Sequence, residues 1–184
     1  MHRFIHGAII VVVIACAVQG ASGQNILKNP GVEDGIESPA GWKQGLEVQG
    51  VAYSWDRKAG FNSKASLCLH KTVQEFFPVA QWFQTVDRTG ESPRLEVSAQ
   101  VKAENVTKAI LDVQFLDRKG EWISHKWVSC IGSQKEGGPP MNHDWKKYSG
   151  RVDIPKNTKT MRIGLQIYGP GKVWFDDVTA TYVK

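Results

Sequence analysis

AILDVQFL, residues 109–116, sets Leu111, Val113 and Phe115 at every second position, with Asp112 and Gln114 between them. Side chains of a β-strand alternate between two faces, so the segment reads as a strand with one apolar and one polar face. RLEVSAQVK, residues 94–102, repeats the pattern. Leu95, Val97, Ala99 and Val101 share one face; Arg94, Glu96, Ser98, Gln100 and Lys102 share the other. TMRIGLQIY, residues 160–168, does so again, with Met161, Ile163, Leu165 and Ile167 inward and Arg162, Gln166 and Tyr168 outward. Further strands are expected over 47–56, 65–71, 79–86, 121–129, 145–153 and 172–183. Runs such as Asp87-Arg88-Thr89-Gly90, Asp117-Arg118-Lys119-Gly120 and Gly169-Pro170-Gly171 punctuate them. The Gly/Pro-rich segment at about 131–144 is expected to be the longest loop. No long segment carries apolar residues at helical spacing. The pattern predicts an all-β fold, an antiparallel β-sandwich or barrel.

The chain has 184 residues. Its start pairs a basic Arg3 with an unbroken apolar run from Ala8 to Ala15, too short to span a bilayer as a helix. Ala21-Ser22-Gly23 follows as a small-residue cleavage pattern, so residues 1–23 read as a secretory signal peptide and 24–184 as one domain. Export into a secreted or periplasmic location is expected. The alternative is a lipoprotein anchored through Cys16, because Val13-Ile14-Ala15-Cys16 loosely resembles a lipobox. Twenty-three basic residues against 18 acidic ones leave a mild positive charge. The Lys and Arg residues are scattered, which argues against a nucleic-acid stripe. Beyond the leader, no apolar run is long enough for a transmembrane helix. Cys68 and Cys130 both lie in strand-like segments, compatible with a disulfide or with two separate buried thiols. The absence of CxxC spacing speaks against zinc or redox chemistry.

VWFDDVTATYV, residues 173–183, raises a separate question. Asp176 and Asp177 are adjacent in a strand, so regular alternation sends one toward the side of Trp174 and Val178 and the other toward Phe175. A carboxylate near a core is costly unless it is paired, hydrogen-bonded or bound to metal.

Several motifs occur in order along the chain. Asn25-Ile26-Leu27-Lys28-Asn29-Pro30-Gly31-Val32-Glu33-Asp34-Gly35 leads to Pro39-Ala40-Gly41-Trp42. Gly60-Phe61-Asn62-Ser63-Lys64-Ala65-Ser66-Leu67, Gln81-Trp82-Phe83-Gln84-Thr85-Val86 and Trp174-Phe175-Asp176-Asp177-Val178 follow. Together they resemble carbohydrate-binding modules of the CenC-like type, in the galactose-binding-like jelly-roll group. Pro30 and Val32 depart from that pattern, where Gly and Phe are more usual. The resemblance implies a jelly roll, a glycan groove on one sheet and a structural calcium ion where the N-terminal loop meets the last strand. Glu33 and one of Asp176 and Asp177 would be its side-chain ligands, with main-chain carbonyls around Lys58 to Asn62. Asp176 is favoured for sharing a face with Trp174 and Val178. The alternative is that the acids pair with Lys, Arg or backbone amides.

Glycan binding needs aromatic faces for sugar C–H patches and planar polar groups for hydroxyls. All seven tryptophans lie beyond the leader. Trp42, Trp145 and Trp174 suit core or strand-end positions; Trp55, Trp82, Trp122 and Trp127 are better candidates for exposure. Gln100, Asp112, Gln114, Arg162, Gln166 and Tyr168 supply polar strand faces, and form one groove if their strands are neighbours. The carbohydrate site is thus expected from Trp55, Trp82, Gln100, Asp112, Gln114, Trp122, Arg162, Gln166 and Tyr168, in a non-catalytic monomer that binds a polysaccharide or oligosaccharide. Two other readings stay open. One is a sandwich for protein contact or surface structure without sugar binding. The other is a small enzyme, for which His143, Tyr148 and Arg151, or the carboxylates Asp112 and Glu96, are the candidates. No G-x-S-x-G motif is present, and His70, His125 and His143 lie on different segments.

Overall fold

The computed structural model describes residues 23–133 and 138–184. The expected leader, with Cys16, lies outside them except for Gly23. Among the described residues ten strands form, in chain order β1 (Lys43–Gln44), β2 (Val51–Asp56), β3 (Ser66–Lys71), β4 (Ala80–Asp87), β5 (Arg94–Val106), β6 (Lys108–Leu116), β7 (Trp122–Gly132), β8 (Met141–Asp153), β9 (Thr160–Ile167) and β10 (Gly171–Val183). The loop expected at 131–144 is shorter, because β7 and β8 extend into it.

The strands build two five-stranded antiparallel sheets. The first runs β1-β4-β9-β6-β7 and the second β2-β3-β10-β5-β8. Alternation along each strand fills the space between them. Leu111, Val113 and Phe115 of β6 meet Val97, Ala99 and Val101 of β5 and Val173 and Phe175 of β10 in one apolar cluster. This is the β-sandwich that the patterning predicts as one of two forms, in the jelly-roll form that the resemblance implies. Among the described residues no helix is long and apolar enough to cross a membrane.

Cys68 lies on β3 of the second sheet and Cys130 on β7 of the first, and both thiols are free. Burial pushes the Cys68 thiol up to about 11, so it is an inert apolar filler at neutral pH.

The end of β10 departs from regular alternation. Asp176 pairs with Gln100 and Thr179 with Ser98, so Asp177 and Val178 both face Ala99. Two residues opposite one is a β-bulge. Asp177 takes the left-handed backbone conformation, φ 45°. The bulge corrects the expectation that Trp174 and Val178 share a face. Val178 joins the inter-sheet core beside Phe175, whereas the Trp174 indole donates to Asp56 Oδ2 at 3.0 Å.

Candidate functional site

The outward face of the first sheet carries an unusual polar centre. β9 lies between β4 and β6, and β7 continues the sheet beyond β6. Register sets Gln81 beside Gln166, and Gly164 beside both Phe83 and Asp112. It sets Gln114 between Arg162 and His125, and Trp127 opposite Asp112. Five of these side chains, Gln81, Asp112, Gln114, His125 and Gln166, converge because residues i and i+2 of each strand share a face.

Asp112 is the hub and is only 1% exposed. Its Oδ2 accepts from Gln114 Nε2 at 3.2 Å and Gln166 Nε2 at 3.1 Å. Its Oδ1 lies 3.1 Å from His125 Nδ1. Gln81 Oε1 accepts from the same two carboxamides, at 3.2 Å and 3.0 Å. Gly164 leaves the space for this crossing: a Cβ there would lie 2.9 Å from Gln81 Oε1. Burial holds the Asp112 carboxyl above the usual aspartate range, opposed by His125 and the two glutamines. Two buried polar atoms at this face have no partner among the described residues, Gln166 Oε1 and Arg162 Nε. Buried polar atoms are seldom left so. The Arg162 guanidinium stacks on Phe83, 4.4 Å from the ring centroid.

Aromatic rings line the β7 side. Trp122 packs on His125 at 5.7 Å, His125 on Trp127 at 6.2 Å, and Trp127 on Tyr168 at 5.9 Å. Phe77 continues the row against Tyr168 at 5.8 Å. Trp122 and Trp127 are 58% and 46% exposed, large apolar surfaces left open beside a buried polar centre. Burial, and then the Asp112 charge, push the Tyr168 phenol upward.

Of the nine residues expected to bind carbohydrate, the structure brings six to this face: Asp112, Gln114, Trp122, Arg162, Gln166 and Tyr168. Three are elsewhere. Trp82 is 2% exposed between the sheets, where its indole donates to the Cys68 carbonyl at 3.1 Å. Alternation along β4 turns Gln81 and Phe83 outward and Trp82 inward. Trp55 is on β2 of the second sheet, bonded to the Val32 carbonyl at 2.8 Å, with Arg57 stacked on its ring. Gln100 is on β5 of that sheet, opposite Lys147. Gln81, Phe83, His125, Trp127 and Gly164 complete the face and were not among the nine. The signals for Gln81 and Phe83 were their positions flanking an inward tryptophan.

The residues nominated for calcium sit at the junction of the chain's ends. Asp176 is fully buried; its Oδ2 accepts from Phe61 N at 2.7 Å and Ser63 Oγ at 2.8 Å, and its Oδ1 from Asp177 N at 2.7 Å. Glu33 Oε1 accepts from Lys64 N at 3.1 Å and Ala65 N at 2.7 Å. Asp177 is exposed. The donors on both carboxylates are N–H and O–H groups, a satisfaction that needs no cation. Among the described residues no three His, Cys, Asp or Glu side chains gather as a metal site. A calcium ion here would therefore take most of its shell from main-chain carbonyls.

The enzyme candidates do not assemble. His143 and Tyr148 bond to each other at 3.0 Å on β8, and Arg151 pairs with Glu96 at 2.6 Å on the exposed side of the second sheet. Glu96 and Asp112 are on different sheets.

No protein-family model matches the chain, and no curated protein matches it in sequence. Solved structures do match its fold. The CBM22-1 xylan-binding domain of Paenibacillus barcinonensis Xyn10C aligns with a TM-score of 0.59 at 16% identity, over 89% of this chain and 97% of that one. The CBM22-1–GH10 modules of Clostridium thermocellum endo-1,4-β-D-xylanase 10B, complexed with xylohexaose, align at 0.56 and 16% identity, over 77% of this chain and 26% of that one. The enzymatically active domain of bacteriophage CBA120 tailspike protein 4 aligns at 0.57 and 18% identity, over 86% of this chain but only 21% of the tailspike chain. The fold is thus the jelly-roll sandwich of carbohydrate-binding modules.

Proposed function

We propose that the chain is an exported, non-catalytic carbohydrate-binding module that takes a glycan along the outward face of β4-β9-β6-β7. The observation that carries this is Asp112: a carboxylate buried on the outward side of a sheet, ringed by carboxamides and flanked by two open tryptophans. Such a group destabilises the fold relative to an apolar residue, so its presence points to a use other than folding. A sugar uses it well. Hydroxyls bond to the Gln81, His125 and Arg162 side chains at the rim of this centre, which Asp112, Gln114 and Gln166 hold in place from beneath. The C–H face of the ring stacks on Trp127 or Trp122. The glutamines and His125 hold the carboxylate in place, so little ordering remains to be done on binding. The xylan-binding neighbours share this fold, and xylan heads the ligands to try. Export rests on the leader pattern of residues 1–23.

Titration calorimetry against soluble xylans, β-glucans, mannans and galactans tests the reading. Binding without product, lost in Asp112→Asn, is the expected result. No heat with any glycan from folded protein removes the proposal and favours a protein-contact role. A structural calcium at Glu33 and Asp176 is a second proposal, supported by two carboxylates, one on the loop before β1 and one on β10, that both hold the segment at 61–65. Melting with and without EDTA tests it, and an unchanged Tm rejects it.

A further inference from the structure

Lys108 opens β6 on the same outward side as Ile110, Asp112 and Gln114, and is 6% exposed. Its ammonium lies 4.4 Å from the Trp127 ring centroid, 5.1 Å from Tyr168 and 5.6 Å from Phe76. Among the described residues no carboxylate pairs with it and no side-chain or backbone oxygen accepts from it. Ring faces attract a cation but offer no lone pair, so its N–H donors face solvent rather than any oxygen of the described residues. Lys71 shows what a satisfied buried lysine looks like in this molecule: it is 1% exposed and donates to the Pro78 carbonyl at 3.1 Å. That bond pins the loop carrying Phe76 and Phe77. Lys108 has no such duty.

Three rings cover the side chain while the ammonium itself is not sealed from solvent, so a charge open to a ligand stands where an apolar side chain of similar length would pack as well. The charge stands next to Trp127, one wall of the glycan face, at the opposite end from Arg162. We propose that Lys108 reads an anionic substituent, and that the glycan class bound here carries carboxylates, as in uronic-acid-containing chains. The inference rests on the glycan reading of this face. The carboxylate accepts from Lys108 Nζ while its sugar ring packs on Trp127. Asp112 does not oppose this. Its Cα is four residues along the strand, about 13 Å away, and its oxygens already engage His125, Gln114 and Gln166. The face then has a direction, with an acidic sugar at the Lys108 end and neutral hydroxyls over Asp112.

Calorimetry on the full chain with matched ligands tests this: xylo-oligosaccharides with and without a glucuronic acid branch, and galacto-oligosaccharides beside oligogalacturonides, at low and high salt. The expected result is that one acidic member binds about tenfold tighter than its neutral match, with the gap narrowing as salt rises. Lys108→Met brings the acidic ligand down to its neutral match, and Lys108→Arg keeps the gap. Equal binding of neutral and acidic ligands by the unmutated chain overturns the inference and leaves the glycan reading standing. A gap that survives in folded Lys108→Met also overturns it. If Lys108→Met does not fold, the salt dependence of the unmutated chain and the Arg variant decide. No binding to any ligand removes the glycan reading, and this inference with it.

Discussion

Asp112 and Asp176 are both buried aspartates, and burial raises the carboxyl pKa of both. Their partners differ in kind. Asp176 accepts from two backbone amides and a serine hydroxyl, donors fixed by the chain path. Asp112 accepts from glutamine and histidine side chains, one of which keeps an unpartnered oxygen. Backbone donors can be satisfied only by folding, so Asp176 locks the loop at 61–63 to β10. Side-chain partners can turn to share their bonds with an arriving molecule. The same residue type, equally buried, is a structural tie in one sheet and, under the proposed function, a recognition group in the other.

The largest expected effect separates the two. Asp176→Ala leaves three donors without an acceptor and should cost about 3 kcal/mol or more, a fall in Tm on the order of 10 °C. Any glycan affinity of the folded fraction should be unchanged. Asp112→Asn should do the reverse, with stability within about 1 kcal/mol of the original and affinity lowered at least about tenfold. A melt and a titration on both variants break the comparison if Asp112→Asn unfolds the protein or Asp176→Ala abolishes binding while folded. Trp127→Ala should weaken binding by about 1 kcal/mol with little change in Tm.

pH sharpens the comparison further. The folded-state pKa of Asp112 lies above its ordinary value of 3.8, so folding favours the protonated form. That stabilisation is complete below the unfolded value and is lost as pH rises through the folded one. The Tm of Asp112→Asn relative to the unmutated chain should therefore climb with pH across this interval, while glycan binding by the unmutated chain grows as the carboxylate ionises. A Tm difference that stays flat with pH would break the assignment. The smallest effect belongs to Trp55→Phe and Gln100→Ala, both on the second sheet, which should leave glycan affinity untouched.

The sandwich was readable because apolar alternation is local, and β5, β6 and β9 show it without interruption. The two-residue β1 carries no such pattern. The site was partly readable for the same reason: Asp112, Gln114, Arg162 and Gln166 are the polar halves of clear strands. Gln100 looked equivalent, but its sheet is set by strand order, which is long-range. Trp82 was misplaced because Gln84, turned inward to bond Lys28 N at 2.7 Å and O at 2.9 Å, obscures the alternation of β4. His125 and Trp127 owe their place to an irregular register: Leu111 pairs with Ser129 and Asp112 with Trp127, leaving Val128 as an extra residue. A bulge leaves no signature that alternation can detect.

The bulge at Asp177 and Val178 works like a reading-frame correction in three dimensions. Upstream of it, odd-numbered residues of β10 face the core; downstream, even-numbered ones do, among them Val178 and Ala180. Deleting Asp177 alone would restore unbroken pairing and leave Val178 and Ala180 on the core side, because Asp176 and Val178 would then alternate regularly. A residue deleted or inserted elsewhere in the strand would turn everything beyond it over and send its apolar set to solvent. Asp177 is thus the position in β10 whose loss the frame tolerates, and a single deletion at Thr179 or Thr181 should do more harm than most substitutions.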